Sequence, residues 1–127
     1  MAGLGAETPA PTELTLHRAS RLLEIVFDDG KRYRLPCEYL RVYSPSAEVR
    51  GHGGPMQTVA GKRDVTITAI EPVGHYAVRL VFDDGHRSGL YSWDLLYTLG
   101  RDQDTNWQDY LDRLAAAGLT RAASEPS

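Results

Sequence analysis

The sequence has a single cysteine, no long apolar run and no excess of basic residues. One cysteine excludes an internal disulfide and a cysteine cage for a metal, and it favours a reducing cytoplasm. No apolar run approaches the roughly 20 residues of a membrane span, and the start lacks the pattern of a secretory signal. A net charge of -3 and a pI near 5.7 show no excess of the positive charge that nucleic-acid binding requires. We therefore expect a cytoplasmic protein that binds neither membranes nor nucleic acid.

The 127 residues suit one domain with loose ends. Residues 1–13 are rich in Ala, Gly, Pro and Thr and hold too few large apolar side chains to offset the entropy of ordering them, so they are predicted to be a flexible lead. Residues 119–127 are predicted to be a flexible tail. The folded domain then covers residues 14–118.

An internal repeat organises this domain. The run Val26-Phe27-Asp28-Asp29-Gly30 recurs as Val81-Phe82-Asp83-Asp84-Gly85, and the similarity continues after each run. Each copy predicts a strand, an Asp-Gly hairpin turn, a return strand and a short helix, because glycine readily takes the positive φ that such turns need. The sequence therefore predicts an α+β fold with a mainly antiparallel sheet, built from two repeated hairpin-helix units plus a C-terminal helix.

Capping residues and hydrophobic alternation set the predicted boundaries of the other elements. Two strands are predicted over 14–17 and 64–70, and Pro72 and Gly74 end the second. A helix is predicted over 37–42 after Pro36, and a second helix begins at the cap residue Ser92 and ends at Gly100. A third helix begins with a capping box of Thr105 and Gln108 and ends at Gly118. The segment from Ser44 to Lys62 is rich in helix and strand breakers and reads as a surface loop, either functional or a plain connector.

The carboxylate pairs and the cysteine have two readings each. Asp28-Asp29 and Asp83-Asp84 can form a catalytic or cation-binding set, but hairpin turns favour Asp for backbone reasons, and we predict turn residues. Cys37 is either a thiol activated by the start of a helix or a small buried apolar residue, and we predict the buried residue. No nucleophile elbow or phosphate-binding loop is present, so we predict no catalytic residues.

The histidines predict no metal site. His86 directly follows the second turn and is interpreted as a surface residue. His17, His52 and His75 lie on separate predicted elements without an i, i+4 pairing, and a structural zinc needs about four donors.

The aromatic and basic side chains divide between core and surface. Trp93 and Trp107 lie on the inward stripes of their helices and are predicted to pack in the core. Tyr39, Tyr43 and Tyr91 are predicted to be better candidates for a contact surface. Basic residues that flank the 44–62 loop can bind an acidic partner, or they are scattered surface charge; they are Arg41, Arg50, Lys62 and Arg63.

Three stretches form a more specific motif: Leu35-Pro36-Cys37-Glu38-Tyr39-Leu40-Arg41-Val42-Tyr43-Ser44-Pro45, Ile70-Glu71-Pro72-Val73-Gly74-His75-Tyr76, and Tyr91-Ser92-Trp93-Asp94. Over about residues 14–118 the chain resembles the small bacterial DUF971 proteins, which are similar to the N-terminal domain of γ-butyrobetaine hydroxylase. The resemblance implies a compact accessory domain. In the hydroxylases this domain precedes a separate catalytic domain that depends on iron and 2-oxoglutarate, and some plastid proteins fuse a similar domain to a P-loop iron–sulfur carrier. We expect neither companion within 127 residues.

Zinc-binding members of this family use three cysteines just beyond the first helix and a histidine after the second turn. The matching positions in this sequence are Ser44, Ser46 and Val49, with the histidine position at His86. One ligand out of four does not hold zinc in the same way, so no metal and no other cofactor is expected.

The leading hypothesis is a non-catalytic accessory module that binds another protein, such as an iron–sulfur carrier or a metalloenzyme, in iron–sulfur or metal-cofactor handling. The predicted contact surface is the loop over 44–63, with the residues Arg41, Tyr43, Arg50, His52 and His86. An alternative is a metal- or small-ligand-binding domain centred on His86, His52 and Glu48. A small enzyme, the third hypothesis, needs a polar cleft with convergent titratable groups.

Overall fold

A computed structural model describes residues 9–46 and 58–122. Six strands and three helices follow in the order β1 (Pro11–His17), β2 (Leu22–Phe27), β3 (Arg32–Pro36), α1 (Cys37–Val42), β4 (Ile67–Val73), β5 (Ala77–Phe82), β6 (Leu90–Ser92), α2 (Trp93–Arg101) and α3 (Gln103–Ala117).

The internal repeat is present in the structure. Two three-stranded antiparallel sheets, ordered β1-β2-β3 and β4-β5-β6, are each followed by a helix. In both copies the phenylalanine before the turn donates its amide hydrogen bond to the carbonyl four residues later, at 2.9 Å. Gly30 and Gly85 have φ angles of 88° and 91°, a range that glycine reaches without strain. The predicted α+β class with antiparallel strands is confirmed, with two sheets in place of one.

Strand β4 runs through a proline. The sequence predicts that Pro72 and Gly74 end this strand. β4 runs through Pro72 and ends at Val73, so the prediction is wrong for Pro72 and confirmed for Gly74. Since β4 lies at the edge of its sheet, one side of its backbone forms no ladder, and a missing N–H is tolerated there.

One hydrophobic cluster takes side chains from both sheets and all three helices. Alternate residues of β2 and β5 point into it, and they are Leu23, Ile25, Phe27, Val78, Leu80 and Phe82. Burial of each side chain of this size contributes about 1.5–3 kcal/mol. Cys37 is also buried in the cluster, as predicted, and burial raises the pKa of its thiol. Trp93 and Trp107 are partly buried and pack against the cluster, as predicted.

The tyrosines predicted to form a contact surface lie in the core instead. Tyr39, Tyr43 and Tyr91 are all buried, so that prediction is wrong. The Tyr39 hydroxyl donates to the carbonyl of Leu99 at 2.7 Å, and the Tyr43 hydroxyl donates to the carbonyl of Asn106 at 2.8 Å. The Tyr39 and Tyr43 rings are thus buried while their hydroxyls satisfy backbone carbonyls of α2 and α3.

The second repeat ends in a longer helix than predicted. The Ser92 hydroxyl accepts a hydrogen bond from the amide of Leu95 at 3.1 Å, which confirms the predicted cap of α2. Gly100 does not end the helix, which continues to Arg101. A Cβ atom at this glycine would lie 2.4 Å from ring atoms of Tyr33. Close packing against the first repeat therefore explains the glycine.

Helix α3 begins earlier than predicted and ends as predicted. It starts at Gln103, so Thr105 lies within its first turn and the predicted capping box is wrong. Gly118 ends it in a left-handed conformation with φ of 70°. Among the described residues, no helix has the length and apolar character needed to cross a membrane.

The ordered structure extends past both predicted limits. β1 begins at Pro11, three residues before the predicted Leu14. Where the sequence predicts a flexible tail from Leu119, the Thr120 and Arg121 carbonyls accept hydrogen bonds from residues 61 and 63. Leu119 is exposed.

Candidate functional site

The second Asp-Gly turn places a histidine against the interior. A carboxylate oxygen of Asp84 accepts the amide hydrogen bond of His86 at 3.0 Å, and Gly85 takes the positive φ of the turn. These contacts direct the His86 side chain inward, where only 5% of the residue is exposed and the ring centroid lies 6.1 Å from that of Phe82. The prediction that this histidine is a surface residue is therefore wrong.

Two serines that follow α1 contact this histidine. Ser44 Oγ lies 2.8 Å from His86 Nε2, and Ser46 Oγ lies 3.4 Å from the same nitrogen. The Ser46 amide also donates to Ser44 Oγ at 3.3 Å. All three residues are buried, so these contacts join the end of the first repeat to the turn of the second. We call Ser44, Ser46 and His86 the serine–histidine cluster.

Beside this cluster, Asp84 lies between two cations. Its Oδ2 atom is 2.8 Å from Arg41 Nε and 2.6 Å from Lys62 Nζ. Burial alone raises the pKa of the Asp84 carboxyl, but hydrogen bonds from Lys62, the His86 amide and Arg41 outweigh that effect and hold the pKa at about 2. Two cations and one carboxylate leave one positive charge in this triad, which we call the Arg41–Asp84–Lys62 triad.

One nitrogen of the triad has no hydrogen-bond acceptor among residues 9–46 and 58–122. Arg41 Nη1 is buried and has no partner, within the part of the chain that the structure describes. A buried donor left unpaired costs about 1–3 kcal/mol. An oxygen acceptor delivered to this point would remove that cost.

The comparisons with known proteins identify the family. A family model described as gamma-butyrobetaine hydroxylase-like, N-terminal, matches residues 14–97. The chain belongs to this family. No curated protein matches the chain at a significant level.

Solved structures of relatives of this gamma-butyrobetaine hydroxylase-like N-terminal domain have the same fold. One NMR solution structure is 53% identical with a TM-score of 0.81, and the alignment covers 100% of this chain and 96% of that chain. A second NMR structure is 47% identical with a TM-score of 0.81, covering 93% and 94%. A crystal structure of a DUF971 family protein of unknown function from Acidithiobacillus ferrooxidans is 40% identical with a TM-score of 0.61, covering 71% and 91%.

The serine–histidine cluster does not fit the zinc site that the family resemblance implies at these positions. Zinc in proteins is bound by thiolates, imidazoles and carboxylates, whereas Ser44 and Ser46 offer neutral hydroxyl groups that already contact His86 Nε2. The fourth position, Val49, lies outside the described residues. Among residues 9–46 and 58–122, no group of three or more His, Cys, Asp and Glu side chains is placed to hold a metal.

Of the residues predicted for partner binding by this family member, the three that the structure describes are largely buried. Arg41, Tyr43 and His86 surround the end of α1, but Tyr43 and His86 are buried and only 12% of the Arg41 side chain is exposed. Arg50 and His52 lie outside the described residues, as does Glu48 of the alternative metal site. At the far end of the loop, Arg63 is exposed and Lys62 is partly buried.

Sequence reasoning identified Asp84 only in part. Its turn role is confirmed by the hydrogen bond from the His86 amide. Its bridging of Arg41 and Lys62 was missed, because the ion pair with Arg41 joins residues 43 positions apart. No local pattern in the sequence indicates such a contact.

Proposed function

We propose that this protein is a non-catalytic accessory module of the cytoplasm that binds another protein, and that the partner acts in iron–sulfur or metal-cofactor handling. The observation that carries the proposal is the net positive charge of the Arg41–Asp84–Lys62 triad, in which two cations share one carboxylate among the described residues. The excess charge lies at the margin of the 44–63 loop, beside the exposed Arg63. It favours an acidic segment of a partner protein.

The burial of the triad supports a binding role over a freely solvated ion pair. Only 12% of the Arg41 side chain and 22% of the Lys62 side chain are exposed. Such charges are screened by salt less than surface charges are. The Arg41 Nη1 atom, which has no acceptor within the described part of the chain, adds a donor that gains from a carbonyl or carboxylate oxygen.

The family supports the accessory role. Its description refers to the N-terminal part of a hydroxylase, and the resemblance implies fusions of similar domains to iron–sulfur carriers. The single cysteine is buried, which agrees with a reducing compartment.

A capture experiment tests the proposal. The immobilised protein is exposed to a soluble extract of its source cells, and captured proteins are cross-linked and identified by mass spectrometry. We expect Lys62→Ala/Arg63→Ala to reduce capture about tenfold, because the loss of two cations weakens the electrostatic attraction of an acidic segment. The matched control is Lys31→Ala/Arg34→Ala, which removes the same charge from the exposed first turn and β3.

Three outcomes decide between this function and its rivals. Selective loss of an iron–sulfur carrier or metalloenzyme with Lys62→Ala/Arg63→Ala, in a variant that remains folded, supports the proposal. Equal loss with the control pair shows nonspecific electrostatics. Unchanged capture removes the Arg41–Asp84–Lys62 triad as the docking surface.

A further inference from the structure

A second charged site lies where the C-terminal segment returns to α1. Arg121 Nε donates to Glu38 Oε2 at 2.9 Å, and Arg121 Nη2 donates to Glu38 Oε1 at 2.8 Å. Two parallel hydrogen bonds of this kind suit a planar guanidinium and not the single ammonium of a lysine. The Arg121 Cζ atom also lies 5.2 Å from the centre of the Trp107 ring, within the range of a cation–π contact.

The carboxylate of this site depends on the guanidinium. Only 6% of the Glu38 side chain is exposed, whereas 36% of the Arg121 side chain is exposed. Removing the cation from a buried ion pair is strongly destabilising, because the remaining charge has lost its water and its partner. A molecule that displaces Arg121 must therefore bring a cation of the same shape.

The arginine that fills the site comes from a short segment after α3. The helix ends at Gly118, and the segment is then held by hydrogen bonds from the Gly61 amide to the Thr120 carbonyl at 3.0 Å and from the Arg63 amide to the Arg121 carbonyl at 2.9 Å. A depression of about 280 Å³ opens beside the ion pair, and its other walls include Pro36, Tyr39, Gln103 and Asp104. The site is thus reachable from solvent next to its occupant.

We infer that Glu38 and Trp107 form an arginine-binding site, which Arg121 fills from within the chain and which an arginine side chain of a partner protein fills when the C-terminal segment is displaced. The Glu38 carboxylate provides two hydrogen-bond acceptors, and the Trp107 indole provides an aromatic face for a cation–π contact. This site shares no side chain with the Arg41–Asp84–Lys62 triad, and its tests change Glu38 and Arg121, so they can fail without the proposed function failing.

Chemical rescue in the full-length chain tests the site. Arg121→Ala empties it, and we expect a melting temperature several degrees below that of the wild type. Millimolar methylguanidinium should then raise the melting temperature of Arg121→Ala and shift the indole NMR signal of Trp107. Methylammonium has the same charge but lacks the planar pair of N–H donors, so it should neither raise the melting temperature nor shift the Trp107 signal. Glu38→Gln/Arg121→Ala lacks the carboxylate and should respond to neither ion.

Binding of a partner's arginine is tested with blocked arginine amide, and blocked lysine amide is the control probe. The arginine probe should bind Arg121→Ala, and it should bind the wild type about tenfold more weakly or worse, because the chain's own arginine reduces the open fraction. Rescue by methylguanidinium without binding of the arginine probe overturns the partner role. Equal rescue by methylammonium, or rescue of the double variant, overturns the site itself.

If Arg121→Ala does not fold, Arg121→Lys provides a second test of the site. Arg121→Lys keeps a cation in place but offers no guanidinium fork. Its melting temperature should rise with methylguanidinium and not with methylammonium, and an equal response to both ions overturns the proposal.

Discussion

The hydroxyl of Tyr91 donates a 2.6 Å hydrogen bond to the carbonyl of Leu40, and this bond joins the second repeat to the first. Both residues are fully buried. Leu40 lies in the last turn of α1, where carbonyls have no partner within the helix. The bond therefore satisfies a helix end with a side chain supplied by the other half of the duplication.

Removing this hydroxyl should weaken the contact between the repeats. We expect Tyr91→Phe to lower the free energy of unfolding by about 1–2 kcal/mol, because the buried Leu40 carbonyl loses its donor. Guanidinium chloride titration followed by tryptophan fluorescence measures the change. Tyr76→Phe, at a tyrosine that is 50% exposed, should change stability by less than about 0.5 kcal/mol. Equal effects of the two substitutions contradict the role of the bond.

The Asp84 carboxylate should make stability depend on pH in the acid range. Its pKa is about 2 in the folded protein and 3.8 in a reference peptide, so the unfolded chain binds a proton first as the pH falls. The stabilisation is therefore present above about pH 4 and is lost as the pH falls towards 2. We expect about 1–2 kcal/mol after solvent screening.

Asp84→Asn isolates this contribution. The variant should be less stable than the wild type at pH 6, and the difference should shrink as the pH approaches 2. Urea unfolding at several pH values measures it, with the exposed neighbour Asp83→Asn as the control. A constant difference between wild type and Asp84→Asn across this range would show that the ion pairs carry no net stability.

The fold was largely predictable because its determinants are local. Asp-Gly turns, strand alternation and the Ser92 cap each act within a few residues, and their repetition reveals the duplication. The errors have tertiary causes. Gly100 looks like a helix end from sequence, but Tyr33 of the first repeat packs where its side chain would lie. Pro72 looks like a strand end, but the free edge of β4 tolerates it.

The site was predictable only where the family resemblance supplied positions. The match of Ser44, Ser46 and His86 to metal positions implies that they are close in space, and the structure brings them together. Its position directly after a turn, without other histidines nearby, suggested that His86 is exposed. The bridge from Asp84 to Lys62 has no local signature, because a turn aspartate looks the same whether or not distant cations approach it.

The contact at Gly100 gives a test of the packing between α2 and β3. Alanine favours helices over glycine by about 1 kcal/mol, yet we expect Gly100→Ala to destabilise the protein by about 1–3 kcal/mol, since a Cβ atom would overlap the Tyr33 ring. Thermal unfolding measures the effect. In a double-mutant cycle, Tyr33→Ala should remove most of the penalty. Stabilisation by Gly100→Ala in the wild-type background contradicts the observed packing.

Metal removal tests whether the serine–histidine cluster works without an ion. We expect the melting temperature to stay unchanged in excess chelator, because hydroxyl contacts to the imidazole and the apolar core hold this region. Elemental analysis of protein purified without an affinity tag should find metal far below one ion per chain. Ser44→Ala, which removes the closest contact to His86 Nε2, should in contrast lower the melting temperature, because it leaves a buried imidazole nitrogen without that partner. Stoichiometric metal together with chelator-induced unfolding would establish the metal-binding alternative instead.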